Sequence, residues 1–212
     1  MYVWVFQGNL GEGKTFGMGI LALYFAAKAR KAGIKVDLYA NYGLKGAKPL
    51  GSYRDFYNVA RSEASIVLLD EAHVNLDARL FHKGSNIYMT QFFFYLRKLN
   101  ASLFMTTPSI RNLDSRMRLL TNILVDCHKT GAGFQYDIYD YQGERLLRRK
   151  FLPKALAKEI FKAGMYDTHT IVRAVEFPQN ERQFSKFLDR IEAIKEGTEE
   201  EGEGGQEDAL EE

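Results

Sequence analysis

The chain has 212 residues, 46% of them apolar, enough for one substantial core and too few for a second full domain. Its single cysteine, Cys127, excludes an internal disulfide and a multi-cysteine metal site, and His73, His82, His128 and His169 lack paired-ligand spacing, so no structural metal is expected. The formal net charge is only +2, and no apolar run approaches the ~20 residues of a membrane-spanning helix.

Tyr2-Val-Trp-Val-Phe6 reads as a first strand, so no leader segment is expected before it. Directly behind it comes Gly8-Asn9-Leu10-Gly11-Glu12-Gly13-Lys14-Thr15, then Phe16 and a helical pattern. Strand, glycine-rich loop, Lys-Thr and helix in that order form a phosphate-binding loop. Gly8, Gly11 and Gly13 let the backbone double back so that successive N–H groups converge on phosphate oxygens. Lys14 is placed to meet the β- and γ-phosphates and Thr15 to bind magnesium, with the helix N-terminus favouring the same anion. The expected ligands are therefore ATP and Mg²⁺, although nothing in the loop distinguishes adenine from guanine.

The first helix is predicted over Thr15–Ala32, with Ile20, Leu21, Tyr24, Phe25 and Ala29 at helical spacing and Gly33 as its stop. Lys35–Tyr39 reads as a second strand, followed by a loop to Gly51. Ser52 caps a short helix over Tyr53–Ala60. Ser65–Asp70 is a buried strand that ends on two carboxylates. A looser stretch, Ala72–Asn86, leads to an aromatic-rich helix near Ile87–Leu99. A strand over Ala101–Thr107, a polar turn, a helix over Leu113–Leu120 and a strand over Ile123–His128 follow. This alternation predicts an α/β fold: a mostly parallel, doubly wound sheet of the P-loop NTPase type with helices on both faces.

From Phe134 the pattern changes to period two. Residues 134–141 and 145–152 flank Gln142-Gly143 as a β-hairpin, expected antiparallel to the edge of the main sheet or on its rim. Helices are expected over 153–162 and 181–195, the last with Phe184, Phe187, Leu188, Ile191 and Ile194 on one stripe. No internal repeat is present. Residues 196–212 carry nine of the 27 acidic residues and no Lys or Arg. The body thus sets 29 basic residues against eighteen acidic ones, a net charge of +11 that suits a polyanionic partner. The domain organisation expected is one ATPase domain over 1–195 (core 1–130, hairpin and helices 131–195) and a disordered acidic tail over 196–212. The tail is either a solubilising appendage or a shield for the basic surface.

Four apolar residues and then Asp70-Glu71 form the second half of a nucleotide site. Asp70 is expected to hold the magnesium ion beside the phosphate loop, and Glu71 to polarise the attacking water as general base. His73 is expected only to line the site.

Further on, Arg97-Lys98, a small residue, the apolar strand and Thr106-Thr107-Pro108 stand in an order that resembles the FtsK/HerA superfamily of DNA-pumping ATPases, including viral genome-packaging ATPases and Zot-like phage assembly proteins. The resemblance covers about residues 1–130. It implies an ATP-hydrolysing double-stranded DNA translocase, with a viral genome-packaging motor as the favoured role. The alternatives are a Zot-like ATPase for filamentous phage assembly and a non-motor nucleotide-dependent scaffold.

The resemblance also implies a ring of five or six copies, a capsid vertex or portal as a further partner, and a place in the host cytoplasm or at the packaging vertex of a virion. It nominates Arg97 as an arginine finger acting on a neighbouring subunit, with Arg79 in reserve. Thr107 occupies the family's polar sensor position, where glutamine is usual. Lys98, Arg111, Arg116 and Arg118 are candidate contacts to a nucleic-acid backbone.

Overall fold

In the computed structural model, residues 2–74, 76, 84–165, 172 and 174–198 are described. The strands are β1 (Val3–Gln7), β2 (Val36–Ala40), β3 (Lys48–Pro49), β4 (Ala64–Leu69), β5 (Ala101–Thr107), β6 (Ile123–Thr130), β7 (Gly133–Asp140) and β8 (Arg145–Pro153). They join in one eight-stranded sheet of order β3-β2-β4-β5-β1-β6-β7-β8. Every pairing from β3 across to β6 is parallel, and β7 and β8 add antiparallel pairings at one edge. The predicted hairpin thus extends the sheet itself. The two-residue β3 falls inside what reads in the sequence as loop.

The helices are α1 (Lys14–Lys31), α2 (Phe56–Arg61), α3 (Gly84–Tyr95), α4 (Ser115–Leu120), α5 (Lys154–Lys162) and α6 (Glu181–Glu196). The sheet separates two hydrophobic cores. On one face Val3, Val5, Val67, Leu69, Leu103 and Met105 meet α2, α3 and α6. On the other, Phe6, Leu68, Phe104, Val125 and Cys127 meet α1, with Ala157 of α5 beside them. Strands β1, β4 and β5 are covered on both sides, which is why their sequences are nearly continuous apolar runs. The stripe of α6 belongs to the core: Phe187 packs 4.8 Å from Phe92 and 5.3 Å from Tyr53, ring centre to ring centre. Each fully buried side chain of this size contributes about 1.5–3 kcal/mol.

Two boundaries differ from expectation. The helix predicted to run to Leu99 ends at Tyr95, and residues 96–100 turn instead. The helix predicted from Leu113 begins at Ser115, because Asp114 caps it by accepting the Arg116 N–H at 2.8 Å. The acidic tail beyond Thr198 and the reserve arginine, Arg79, lie outside the described residues. Among the described residues no helix is long and apolar enough to cross a membrane.

Candidate functional site

In a parallel sheet the loops after the strands' C-terminal ends share one rim, and the loops after β1, β4 and β5 meet there. The loop after β1 spans Gly8 to Gly13, with φ of +78° at Gly11 and +81° at Gly13. Gly8 is required by close approach: a Cβ there would lie 2.6 Å from the Cys127 carbonyl oxygen. The buried Lys14 ammonium donates to the Asn9 carbonyl oxygen at 3.0 Å, bending back over the loop it follows. The Glu12 carboxylate accepts the Asn9 N–H, and Leu10 is exposed at the tip. Burial pushes the Cys127 thiol, beneath Gly8, far above its ordinary pKa, so it is no thiolate nucleophile.

Strand β4 delivers Asp70 to the same rim. Asp70 is buried, and its Oδ1 accepts hydrogen bonds from the Thr15 hydroxyl at 2.8 Å and the Thr106 hydroxyl at 2.6 Å. Its backbone is clamped as well: the Asp70 N–H donates to Asn41 Oδ1 at 2.7 Å, and Asn41 Nδ2 donates to the Asp70 carbonyl at 3.1 Å. Glu71 then turns out of the strand with φ +52°, a left-handed conformation that costs a non-glycine residue about 1–3 kcal/mol. Its N–H donates to Thr106 Oγ1 at 2.9 Å, which holds the turn in place. The Glu71 carboxylate remains partly exposed, with Oε2 3.3 Å from His73 Nδ1.

The sequence-predicted Lys14, Thr15, Asp70 and Glu71 therefore converge. Thr107 does not join them: it is fully buried, and its hydroxyl donates to the Ser109 carbonyl at 3.0 Å. Successive strand residues face opposite sides of a sheet, so only one of the two threonines can address Asp70, and that one is Thr106. The parity was available in the sequence, because Thr106 lies two residues from Phe104 on the α1 face. Asn41 carried no such local signal; it is simply the first residue past β2.

Arg97 is exposed in the turn that precedes β5, whereas the acidic pair lies beyond that strand's other end. Seven strand residues separate the two by roughly 20 Å, so Arg97 does not reach the phosphate loop of its own chain. Of the other cations, Arg116 is held by Asp114 through two hydrogen bonds of 2.9 and 3.1 Å, which keeps that carboxyl below its ordinary pKa. Arg118 donates to the Arg111 carbonyl at 3.3 Å, and Lys98 lies 5.1 Å from the Tyr95 ring centre.

The donor set around Asp70 is one carboxylate with the Thr15 hydroxyl beside it. That suits a small hard cation which keeps water and phosphate oxygens as its remaining ligands, the habit of Mg²⁺. Among the described residues no cluster of three or more His, Cys, Asp or Glu side chains is placed to hold a metal unaided.

A family model described as Zonular occludens toxin (Zot) matches residues 50–170, more than half of the chain. The chain belongs to the Zot family. The matched span holds Asp70, Glu71, β5 and the hairpin but not the phosphate loop, so family membership and the loop are independent observations.

The chain is similar to the N-terminal domain of zonular occludens toxin from Neisseria meningitidis, with a TM-score of 0.56 at 18% identity over 78% of this chain and 98% of that one. It is also similar to B204, the DNA-packaging ATPase of Sulfolobus turreted icosahedral virus, with a TM-score of 0.52 at 11% identity over 72% and 97%. The genome packaging NTPase B204 from Sulfolobus turreted icosahedral virus 2, in complex with AMPPCP, aligns at 0.50 and 11% identity over 72% and 97%. No curated protein sequence matches the chain significantly. At these identities the likenesses establish the P-loop NTPase fold.

Proposed function

We propose that this Zot-family chain hydrolyses ATP and uses the energy to move phage DNA. The observation that carries the reading is the meeting of Lys14, Thr15, Asp70 and Glu71 on one rim, tied together through the Thr106 hydroxyl. The loop amides and Lys14 bind and orient the β- and γ-phosphates. Thr15 and Asp70 would hold Mg²⁺, which when bound supplies charge neutralisation between those phosphates. Glu71, fixed in its turn but open to solvent, accepts the proton of the attacking water.

Arg97 then serves the site of a neighbouring copy, which makes turnover a property of the assembly. In this reading Arg111 and Arg118 are available to a nucleic-acid backbone, and Arg116 is not. The direct test is ATPase rate with and without duplex DNA, across protein concentration. Stimulation by DNA and a steep concentration dependence are expected. A Lys14→Ala chain that hydrolyses ATP at the parent rate would overturn the site itself.

A second reading, supported by the family match, is an ATPase for filamentous phage assembly. It predicts association with an envelope channel and a turnover rate indifferent to duplex DNA.

A further inference from the structure

The phosphate loop and the acidic pair account for the triphosphate end of a nucleotide and leave its base unassigned. The sheet order indicates where the base goes. Strand β1 lies between β5, on the side of the acidic pair, and β6, on the side of the hairpin. A nucleotide whose γ-phosphate points toward Glu71 therefore extends its nucleoside the other way, past Thr15 and Phe16 toward β7 and α5.

That side is aromatic. A Cβ on Gly13 would lie 2.7 Å from the Phe134 ring, and the Tyr136 hydroxyl donates to the Gly13 carbonyl at 3.2 Å. Phe16, which directly follows Thr15, is buried, and Phe161 of α5 stacks on it with ring centres 4.2 Å apart and planes within 10°. Phe161 nonetheless remains 41% exposed. A large aromatic surface left open to solvent at the first residue beyond a phosphate loop suits a flat heterocycle.

We propose that Phe161 forms the nucleobase platform of this site, and that it reads the base by stacking rather than by hydrogen bonding. Every base presents a π-face, so stacking tolerates exchange of one purine for another. The chain would accept adenine and guanine nucleotides with similar affinity. This rests on the loop reading above, and inorganic tripolyphosphate separates the two, because it engages the loop without a base.

The test is calorimetric titration of the full chain with MgADP, MgGDP and magnesium tripolyphosphate, repeated for Phe161→Ala and Phe161→Tyr. Expected are similar affinities for the two nucleotides, a loss of roughly tenfold for both in Phe161→Ala, an unchanged tripolyphosphate affinity, and recovery in Phe161→Tyr. Unchanged nucleotide affinity in Phe161→Ala overturns the proposal. So does an equal loss for tripolyphosphate, which would mean that the loop was disturbed, or a parent chain that strongly prefers one purine. A parent chain that binds none of the three ligands overturns the phosphate-loop reading as well.

Discussion

The Thr106 hydroxyl donates to Asp70 Oδ1 at 2.6 Å while accepting the Glu71 N–H at 2.9 Å. One side chain on β5 thereby sets both the carboxylate on β4 and the turn that aims its neighbour. Thr106→Val keeps the shape and removes both bonds, leaving a buried N–H and a carboxylate oxygen short of a partner. Turnover is expected to fall about tenfold or more, since each such loss costs roughly 1–3 kcal/mol. Nucleotide affinity should change little, and Thr106→Ser should recover most of the rate. Steady-state kinetics with a separate binding titration checks this.

Asn41 acts on the Asp70 backbone rather than on its side chain, so its loss should appear first in stability. Asn41→Leu strands the N–H and C=O of a buried residue. A loss of about 2–4 kcal/mol is expected, seen as a lower urea midpoint with an unchanged slope.

Gly17 packs its α-carbon against Tyr136, and a Cβ there would sit 2.4 Å from the ring. Gly17→Ala is expected to cost roughly 1–3 kcal/mol through overpacking. Trimming the ring with Tyr136→Leu should make the alanine better tolerated. A double-mutant cycle reads this as strong non-additivity, whereas additive effects would mean that the contact carries no strain.

Arg97 is a matter of assembly. Arg97→Ala and Lys14→Ala chains should each be inactive alone, the first for want of a trans-acting cation and the second for want of a working loop. Mixed together they should regain activity, because some interfaces then pair an intact loop with an intact arginine. A mixture as dead as its parts would remove Arg97 from the mechanism.

On β7, Asp137 accepts two hydrogen bonds from Arg149 of β8, at 2.7 and 2.9 Å. This guanidinium holds the Asp137 carboxyl below its usual 3.8. A depressed carboxylate stabilises the fold at pH above its unfolded value and loses that contribution as pH falls through the folded one. Arg149→Met should therefore be less stable than the parent at neutral pH, and the difference should close below about pH 4. Denaturant midpoints at a series of pH values would show it.

Local features of this protein were legible from the chain alone. A phosphate loop is eight consecutive residues, and an acidic pair at the end of an apolar run is six, so each announces itself without knowledge of neighbours. The alternation of strands and helices likewise named the fold class, and the period-two stretch after Phe134 named the hairpin. Where the reading slipped, at Thr107, a single step of strand parity separated the right hydroxyl from the wrong one.

The amino-acid order established that phosphate-binding and acidic groups exist at the ends of successive strands, because hydrophobic periodicity and glycine geometry act over a few residues. Folding alone brought Asn41 onto Asp70, chose Thr106 over Thr107, and laid Phe161 against Phe16. Those partners are distant along the chain, and they meet only because one twisted sheet stacks β2, β4, β5 and β1 side by side and folds α5 back over the helix that follows the loop. Burial then makes each hydrogen bond between them costly to lose.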